Sequence, residues 1–236
     1  MKREQLEKIL FAPPEQSAEW IAASARYGLV EAQVLLGQML LDGTGMPRDP
    51  KAAFAWFSVA ANAGHLPAIN MVGRCHQNGW GTKPDRALAL THFQKAAERG
   101  HSWSQFNLGD MLLRAGDRVS ALVWLRRAAR QGNAKAMNIL GMACEQGWEQ
   151  PASASAALGW YHEAAKRGDF RAQFNVATIL LQSGRIDEAA IWFSAALRSE
   201  NPDITAASLL HLANRREPAL MALHRHARSL ASRHGG

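Results

Sequence analysis

Histidines near the carboxyl end of the chain are the residues best suited to metal chemistry. His211, His224, His226 and His234 cluster there, and the H-x-H spacing of His224 and His226 can serve imidazole ligands. Residues two apart on a helix point to different sides, however, which makes this pair a poor chelate. A histidine-dependent metal protein is therefore an alternative hypothesis, and the sequence predicts no metal and no cofactor.

Familiar catalytic and nucleotide-binding motifs are absent from the sequence. It contains no G-x-S-x-G, H-E-x-x-H, G-x-x-x-x-G-K-[ST] or G-x-G-x-x-G. Cys75 and Cys144 cannot form a C-x-x-C metal clasp or a disulfide framework, and we expect both to be small core residues. The sequence therefore predicts a protein that is not an enzyme.

An excess of basic residues leaves two classes of partner open. The formal net charge is +7, which favours acidic proteins and nucleic acid alike. The densest basic stretch of the repeats, "WLRRAARQG", carries Arg126, Arg127 and Arg130, while Glu163 and Asp169 dilute the charge. Single-stranded nucleic acid requires a continuous basic stripe with interleaved aromatic residues. We therefore keep an electrostatic binder of nucleic acid or of an acidic partner as the alternative function.

Glycine recurs at intervals that indicate a repeat. The glycines are 36, 36, 32 and 36 residues apart, at Gly28, Gly64, Gly100, Gly132 and Gly168. Four residues after each comes a small side chain, at Ala32, Ala68, Ser104, Ala136 and Ala172. Nine residues after each come Gly37, Gly73, Gly109, Gly141 and Ala177. A period in this range is typical of stacked helix pairs.

The residues before each glycine follow the same register. A bulky side chain stands seven residues earlier, at Ile21, Phe57, Phe93, Leu125 and Tyr161. A sixth copy carries Ala189 and Phe193 but has Glu200 in place of the glycine. The spacings fit helices, so each unit is predicted to be a helix, a left-handed glycine turn and a second helix. The bulky residue is predicted to fill the gap between repeats.

Helix starts are marked by capping residues. Asp49 precedes Pro50, a strong signal for a helix N-terminus, and Asp85, Asp117 and Ser153 stand at equivalent positions. The runs "DGTGMPRD", "NGWGTKPD" and "QGWEQPAS" are predicted to be loops between units.

These recurring AA-x-x-G, A-x-x-x-L-G and G-x-G elements resemble the Sel1-like repeat family, which is related to tetratricopeptide repeats. The resemblance covers about residues 17–214, and its best copies surround Gly64 and Gly100. Thr82 and Glu149 depart from the loop pattern of the family. The resemblance implies an all-α fold, a right-handed α-α superhelix (solenoid) of about six helix pairs with capping helices.

The repeat pattern predicts three parts in the chain. Residues 1–14 are predicted to form an N-terminal capping helix, residues 15–214 the repeat solenoid, and residues 215–236 a C-terminal capping helix and tail. The basic N-terminus lacks the apolar stretch of a secretion signal, and no apolar run approaches the roughly 18 residues of a membrane span. We expect a cytoplasmic, bacterial-type protein without membrane insertion.

In tetratricopeptide proteins the helix carrying the L-G pair lines the concave surface, which implies a partner-binding groove here. Its predicted residues are Asn70, Arg74, Gln77, Trp103, Phe106, Asp110, Arg114, Lys135, Asn138, Met142, Arg171 and Phe174. Amide and cationic donors would suit a peptide backbone and an acidic side chain or chain end. Trp103 is the strongest candidate for an anchor.

Each of these residues also has a purely structural interpretation. Phe106, Phe174 and Trp103 could pack against neighbouring helices, and the scattered cations could be solvated. Recurrence in register favours packing for Trp56, Trp124, Trp160 and Trp192. His76 is expected to be a buried, hydrogen-bonded histidine rather than a ligand. The predicted function is a protein–protein interaction adaptor or scaffold that binds a partner polypeptide in the groove and regulates or assembles it.

Overall fold

A computed structural model describes residues 14–213 and 215–234, and the regular structure within these ranges is entirely α-helical. The helices are α1 (Pro14–Arg26), α2 (Val30–Asp42), α3 (Pro50–Asn62), α4 (Leu66–Asn78), α5 (Arg86–Glu98), α6 (Ser102–Arg114), α7 (Arg118–Arg130), α8 (Ala134–Gln146), α9 (Ala154–Lys166), α10 (Phe170–Gln182), α11 (Ile186–Leu197), α12 (Pro202–Leu212) and α13 (Pro218–His234). The predicted all-α fold of helix pairs is confirmed. The predicted N-terminal capping helix lies outside the described residues, apart from Pro14.

Two compact units make up the chain, one ending at Ala115 and the other beginning at Gly116. Within the first unit, α1 to α6 form consecutive helical hairpins, each packed against the next. Within the second unit, α7 to α12 do the same, and α13 packs on α11 and α12. Helix α13 falls in the range predicted for a closing helix, and its capping role stays a prediction.

The turn inside each hairpin is left-handed, as the glycine spacing predicts. Gly28, Gly64, Gly100, Gly132 and Gly168 have φ values between 83° and 92°. Glu200 occupies the same position in the last hairpin and has φ 50°, and no other non-glycine residue in the described ranges has a positive φ. The chain therefore keeps the turn where it has lost the glycine, at the cost of a strained backbone conformation.

Glycines inside the even-numbered helices provide room for an aromatic ring of the next helix. A Cβ atom on Gly73 would lie 2.7 Å from the Phe93 ring, and one on Gly141 would lie 2.5 Å from the Tyr161 ring. Both rings are almost completely buried. The predicted role of the bulky residue, filling the gap between repeats, is confirmed at these contacts.

The predicted helix caps are also confirmed. The side chains of Asp49, Asp85, Asp117 and Ser153 accept hydrogen bonds of 2.9–3.2 Å from backbone N–H groups in the first turns of α3, α5, α7 and α9. The even-numbered helices after α2 have caps that sequence analysis did not identify, at His65, His101, Asn133, Asp169 and Asn201. These caps fix where α4, α6, α8, α10 and α12 begin and so position the side chains that follow.

Candidate functional site

The residues predicted to line a groove lie on four even-numbered helices. In the first unit they are Asn70, Arg74 and Gln77 on α4 and Trp103, Phe106, Asp110 and Arg114 on α6. In the second unit they are Lys135, Asn138 and Met142 on α8 and Arg171 and Phe174 on α10. Each set is described within its own unit.

Asn70 lies at the junction of α4 and α6 rather than on an open surface. Its side chain is 7% exposed, and its Oδ1 accepts hydrogen bonds from Asn107 Nδ2 (2.8 Å) and Ser104 Oγ (3.1 Å). A buried amide oxygen with two donors stabilises the packing of consecutive hairpins. The contacts therefore assign the oxygen of Asn70 to the hairpin junction, and a direct contact with a partner stays a prediction.

The second unit repeats this junction in a simpler form. Asn138 Oδ1 on α8 accepts a hydrogen bond of 3.0 Å from Asn175 Nδ2 on α10, and both side chains are half-buried. Sequence analysis did not identify Asn107 or Asn175. The available signal was Ser104, a polar residue at a register position that holds alanine in the other repeats.

Arg74 is positioned by an aromatic residue that sequence analysis assigned to a loop. Its guanidinium carbon lies 4.8 Å from the centre of the Trp80 ring, and Nη1 lies 3.6 Å from Met71 Sδ. A cavity of about 360 Å³ opens beside it, lined by Gln38, Leu41, Asp42, Arg48, Arg74 and Trp80. Arg48 Nε caps the end of α2 by donating to the Leu41 carbonyl (2.9 Å), and Gln38 donates to Asp42 (2.6 Å). A half-buried, stacked guanidinium beside an open polar cavity can bind a carboxylate.

The predicted residues of α6 form an aromatic pair and an ion pair. Trp103 is 50% exposed, and its ring meets that of Phe106 edge-on with 6.1 Å between centroids. Arg114 Nε donates to Asp110 Oδ2 at 2.8 Å in an exposed i,i+4 pair. Gln77 on α4 is half-buried. Trp103 thus combines a large exposed area with lateral support.

The two cations predicted in the second unit both act on one buried carboxylate. Asp169 caps α10 by accepting a hydrogen bond from Ala172 N (2.8 Å). Burial raises the pKa of Asp169, while the hydrogen bond from Ala172 and the charges of Arg171 and Lys135 act in the opposite direction. Arg171 also lies 5.1 Å from the centre of the Phe170 ring. Lys135 and Arg171 therefore help to stabilise the charged form of the residue that caps α10.

The remaining predicted residues of the second unit are half-buried. Phe174 meets the rings of Phe193 (5.7 Å) and His211 (5.4 Å) edge-on, which matches the packing interpretation. Met142 is half-buried on α8.

The basic stretch of α7 is engaged locally. Arg126 forms an ion pair with Glu149, and the guanidinium of Arg127 lies 4.5 Å from the centre of the Trp124 ring. Arg130 is exposed.

His76 is buried, as the sequence predicts, but the expected hydrogen bond is missing. Its Nδ1 has no hydrogen-bond partner in the described part of the chain. Its ring stacks on that of His92 (5.7 Å) and meets that of Phe54 edge-on (5.4 Å). Aromatic packing, rather than a polar network, therefore holds this histidine.

Neither cysteine forms a disulfide: Cys75 is buried and Cys144 half-buried. Burial raises the pKa of Cys75 to about 11. Within residues 14–213 and 215–234, no three His, Cys, Asp or Glu side chains are grouped so as to hold a metal ion. No helix in the same ranges is both long and apolar enough to cross a membrane.

Comparison with known proteins identifies the repeat type. The Sel1 repeat model matches residues 30–65, 66–101 and 104–133, and a tetratricopeptide repeat model matches residues 149–204. A chitin synthase regulator of Malassezia restricta is 42% identical over 59 residues, which is 25% of this chain and 4% of that protein. The similarity to that relative is therefore confined to a quarter of this chain and a small part of the relative.

Solved structures show the same fold. A Sel1 repeat protein from Oxalobacter formigenes superposes with a TM-score of 0.74 at 23% identity, covering 91% of this chain and 99% of that one. A protective antigen of uropathogenic Escherichia coli that displays an SLR fold gives a TM-score of 0.69 at 23% identity. That match covers 94% of this chain and half of the antigen. The two repeat models together match more than half of the residues, and the chain belongs to the Sel1-like repeat family of tetratricopeptide-like helical repeat proteins.

Proposed function

We propose that this chain is a protein–protein interaction adaptor that binds a segment of a partner on its even-numbered helices and thereby regulates or assembles that partner. The observation that carries the proposal is Trp103, half exposed on α6 and held edge-on by Phe106. A large aromatic side chain on a preorganised helix is typical of the residues that dominate binding energy in interfaces.

Arg74 supports a partner segment that carries a carboxylate. Its guanidinium is already ordered by Trp80, so binding an acidic side chain or chain end costs little side-chain entropy. Among the described residues Arg74 forms no ion pair, and the adjacent cavity has room for an acidic group. The preferred partner therefore presents an apolar or aromatic residue together with an acidic one.

The local contacts of the basic stretch favour protein over nucleic acid as the partner. Arg126 is paired with Glu149 and Arg127 is stacked on Trp124, so two of the three arginines of this stretch already have partners. A related sequence in Malassezia restricta is named a chitin synthase regulator, which accords with a regulatory role. We place the activity in the cytoplasm, where unpaired thiols such as Cys75 and Cys144 stay reduced.

The test is a pair of tryptophan substitutions measured against one partner. A partner is first captured from the source cell, purified, and titrated against the wild-type protein by calorimetry. Trp103→Ala is expected to raise its Kd by about 30-fold or more, the effect of losing a hot-spot residue. Trp20 on α1 is 61% exposed, and Trp20→Ala is the matched control, expected to bind as the wild type does.

A second substitution tests the acidic group. Arg74→Ala is expected to weaken binding of the same partner by a smaller factor, and to do so less when the acidic residues of the bound segment are replaced by their amides. Full binding by both Trp103→Ala and Arg74→Ala, with unchanged helical circular dichroism, would overturn the proposal. Retardation of RNA or DNA that weakens steeply with salt would instead favour the alternative function.

A further inference from the structure

The second unit contains a cavity that includes none of the residues predicted for the partner-binding groove. It has a volume of about 180 Å³ and lies between α7, α8, α9 and the loop that joins α8 to α9. Its walls are mostly apolar and include Leu122, Leu140, Ala156 and Trp160. The cavity opens to solvent beside the exposed residues Glu149, Gln150 and Pro151 of the α8–α9 loop, so a small molecule can enter it.

The equivalent place in the first unit is filled by side chains. Residues 68 positions earlier in the register are Phe54, His76, Leu88 and His92, which correspond to Leu122, Cys144, Ala156 and Trp160. The rings of Phe54, His76 and His92 touch one another there, with 5.4 and 5.7 Å between centroids. In the second unit three of the four side chains are smaller, and a space opens beside Cys144 and Ala156.

An ion pair contributes to the wall of the cavity. Arg126 from α7 binds Glu149 from the α8–α9 loop, and both residues line the cavity. Glu149 stands where the corresponding loop of the first unit has Gly81, and Arg126 where that unit has Ser58. Because the two charges satisfy each other, the cavity offers little to a charged ligand and favours an uncharged one.

We propose that this cavity is a binding site for a free, uncharged, single-ring aromatic molecule. An apolar protein cavity of about 150 Å³ is large enough to bind benzene, and the cavity here is slightly larger. The mostly apolar wall and the Trp160 indole suit a flat apolar ring. In the first unit the ring of His76, at the position that corresponds to Cys144, fills this place. The bound aromatic molecule would take the place of that ring in the second unit.

The test uses benzene as the probe and a cavity-filling variant. Ala156→Leu introduces the residue that the first unit has at this position and removes space from the cavity. Ala154→Leu makes the same change at a position of α9 that is also exposed but does not line the cavity. Benzene is expected to raise the thermal unfolding midpoints of the wild type and of Ala154→Leu by similar amounts. It is expected to raise that of Ala156→Leu by less. Ala156→Val serves the same purpose if the leucine variant does not fold.

A second measurement reports on the cavity directly. Cys144 lines the cavity and is half-buried, whereas the Cys75 thiol is fully buried, so alkylation by iodoacetamide at pH 8, followed by mass spectrometry, reports on Cys144. At benzene concentrations ten times its Kd, alkylation of Cys144 is expected to slow about tenfold in wild type. Unchanged midpoint and alkylation rate in wild type, or equal effects in Ala156→Leu, would overturn the proposal. Neither outcome affects the partner-binding proposal, which rests on the first unit.

Discussion

Two hairpin junctions, one in each unit, use the same contacts to join successive repeats. Around Gly73 in the first unit, the helix leaves room for the Phe93 ring; around Gly141 in the second, it leaves room for the Tyr161 ring. Three residues before each glycine stands an asparagine whose oxygen accepts a hydrogen bond from an asparagine of the next even-numbered helix. The shared contacts are those that set the distance between helices.

The side chains around these contacts differ between the two junctions. The first unit packs three aromatic rings, and the second surrounds a cavity with a leucine, a thiol and an indole; the residues are Phe54, His76, His92, Leu122, Cys144 and Trp160. The glycine–ring contact and the asparagine pair, which both junctions share, therefore determine the spacing of the repeats. The neighbouring positions are free to become a packed core or a binding site.

The largest effect is expected from closing the space that the glycines leave. Gly141→Ala should lower the free energy of unfolding by about 1–3 kcal/mol, because the new methyl group overlaps the Tyr161 ring. Tyr161 is further fixed by the hydrogen bond from its hydroxyl to Glu145 (2.8 Å). Gly73→Ala should cost less, since the Phe93 ring has no such bond and shifts more easily. Urea unfolding of the two variants measures the difference.

Gly159 supplies the control for this prediction. It lies within α9, and a Cβ atom there would meet nothing within 4 Å. Gly159→Ala should therefore stabilise the protein by about 0.5–1 kcal/mol through helix propensity alone. If Gly141→Ala proved as stable as Gly159→Ala, the glycine–ring contact would not determine the repeat spacing.

A smaller effect is expected from the asparagine pairs. Asn70→Ala should cost about 1–2 kcal/mol, because it removes the acceptor of the Asn107 amide and one of the two acceptors near the Ser104 hydroxyl, the other being His101 Nδ1 at 2.9 Å. Asn138→Ala removes the acceptor of one donor at a half-buried site and should cost about 1 kcal/mol.

Replacing Ser104 by the alanine that the other repeats have at this position tests whether the buried oxygen of Asn70 acts through Ser104. Ser104→Ala in the Asn70→Ala background removes a hydroxyl that has lost one of its two acceptors, so the double variant should recover a small part of the lost stability. A double-mutant cycle measures this coupling. Equal costs for Asn70→Ala and Asn138→Ala, without coupling to Ser104, would contradict the assigned role of the buried oxygen.

The parts of the fold that sequence analysis predicted are those fixed by local or strictly periodic rules. The turn glycines, the caps at Asp49 and Asp85 and the ring seven residues before each turn depend on backbone conformation or on one contact repeated in register. Glu200 shows how strong the periodic signal is, because its left-handed conformation follows from its position in the repeat and not from its residue type.

The candidate site was harder to predict because each of its side chains could contact several different residues of the chain. Lys135 and Arg171 read as available cations in the sequence, and only the fold brings both close to the Asp169 cap. The stacking of Arg74 on Trp80 likewise depends on the path of the loop after α4. These contacts join residues of different helices and loops, and the repeat pattern, which gives the position of each residue within one repeat, does not predict them.

The smallest effect is a difference in pH dependence between the two junctions. The pKa of His92 is lowered from its usual value by burial and, to a lesser extent, by the charges of His76 and Lys95. The unfolded chain then binds a proton more readily than the folded one, so stability contributed by His92 is present above about pH 6.5 and is lost as the pH falls. The second junction has Trp160 at this position and cannot respond in this way.

His92→Trp gives the first junction the residue of the second and should reduce the fall in thermal midpoint between pH 7.5 and pH 5.5. Part of the fall should remain, because the pKa of His101 is also lowered, by burial and then by His65. The comparison variant is His101→Asn, which keeps a side chain able to cap α6, as Asn133 caps α8. The two substitutions act on separate groups, so their effects on the pH dependence should add. A fall as large in His92→Trp as in the wild type would show that His92 does not take up a proton on unfolding.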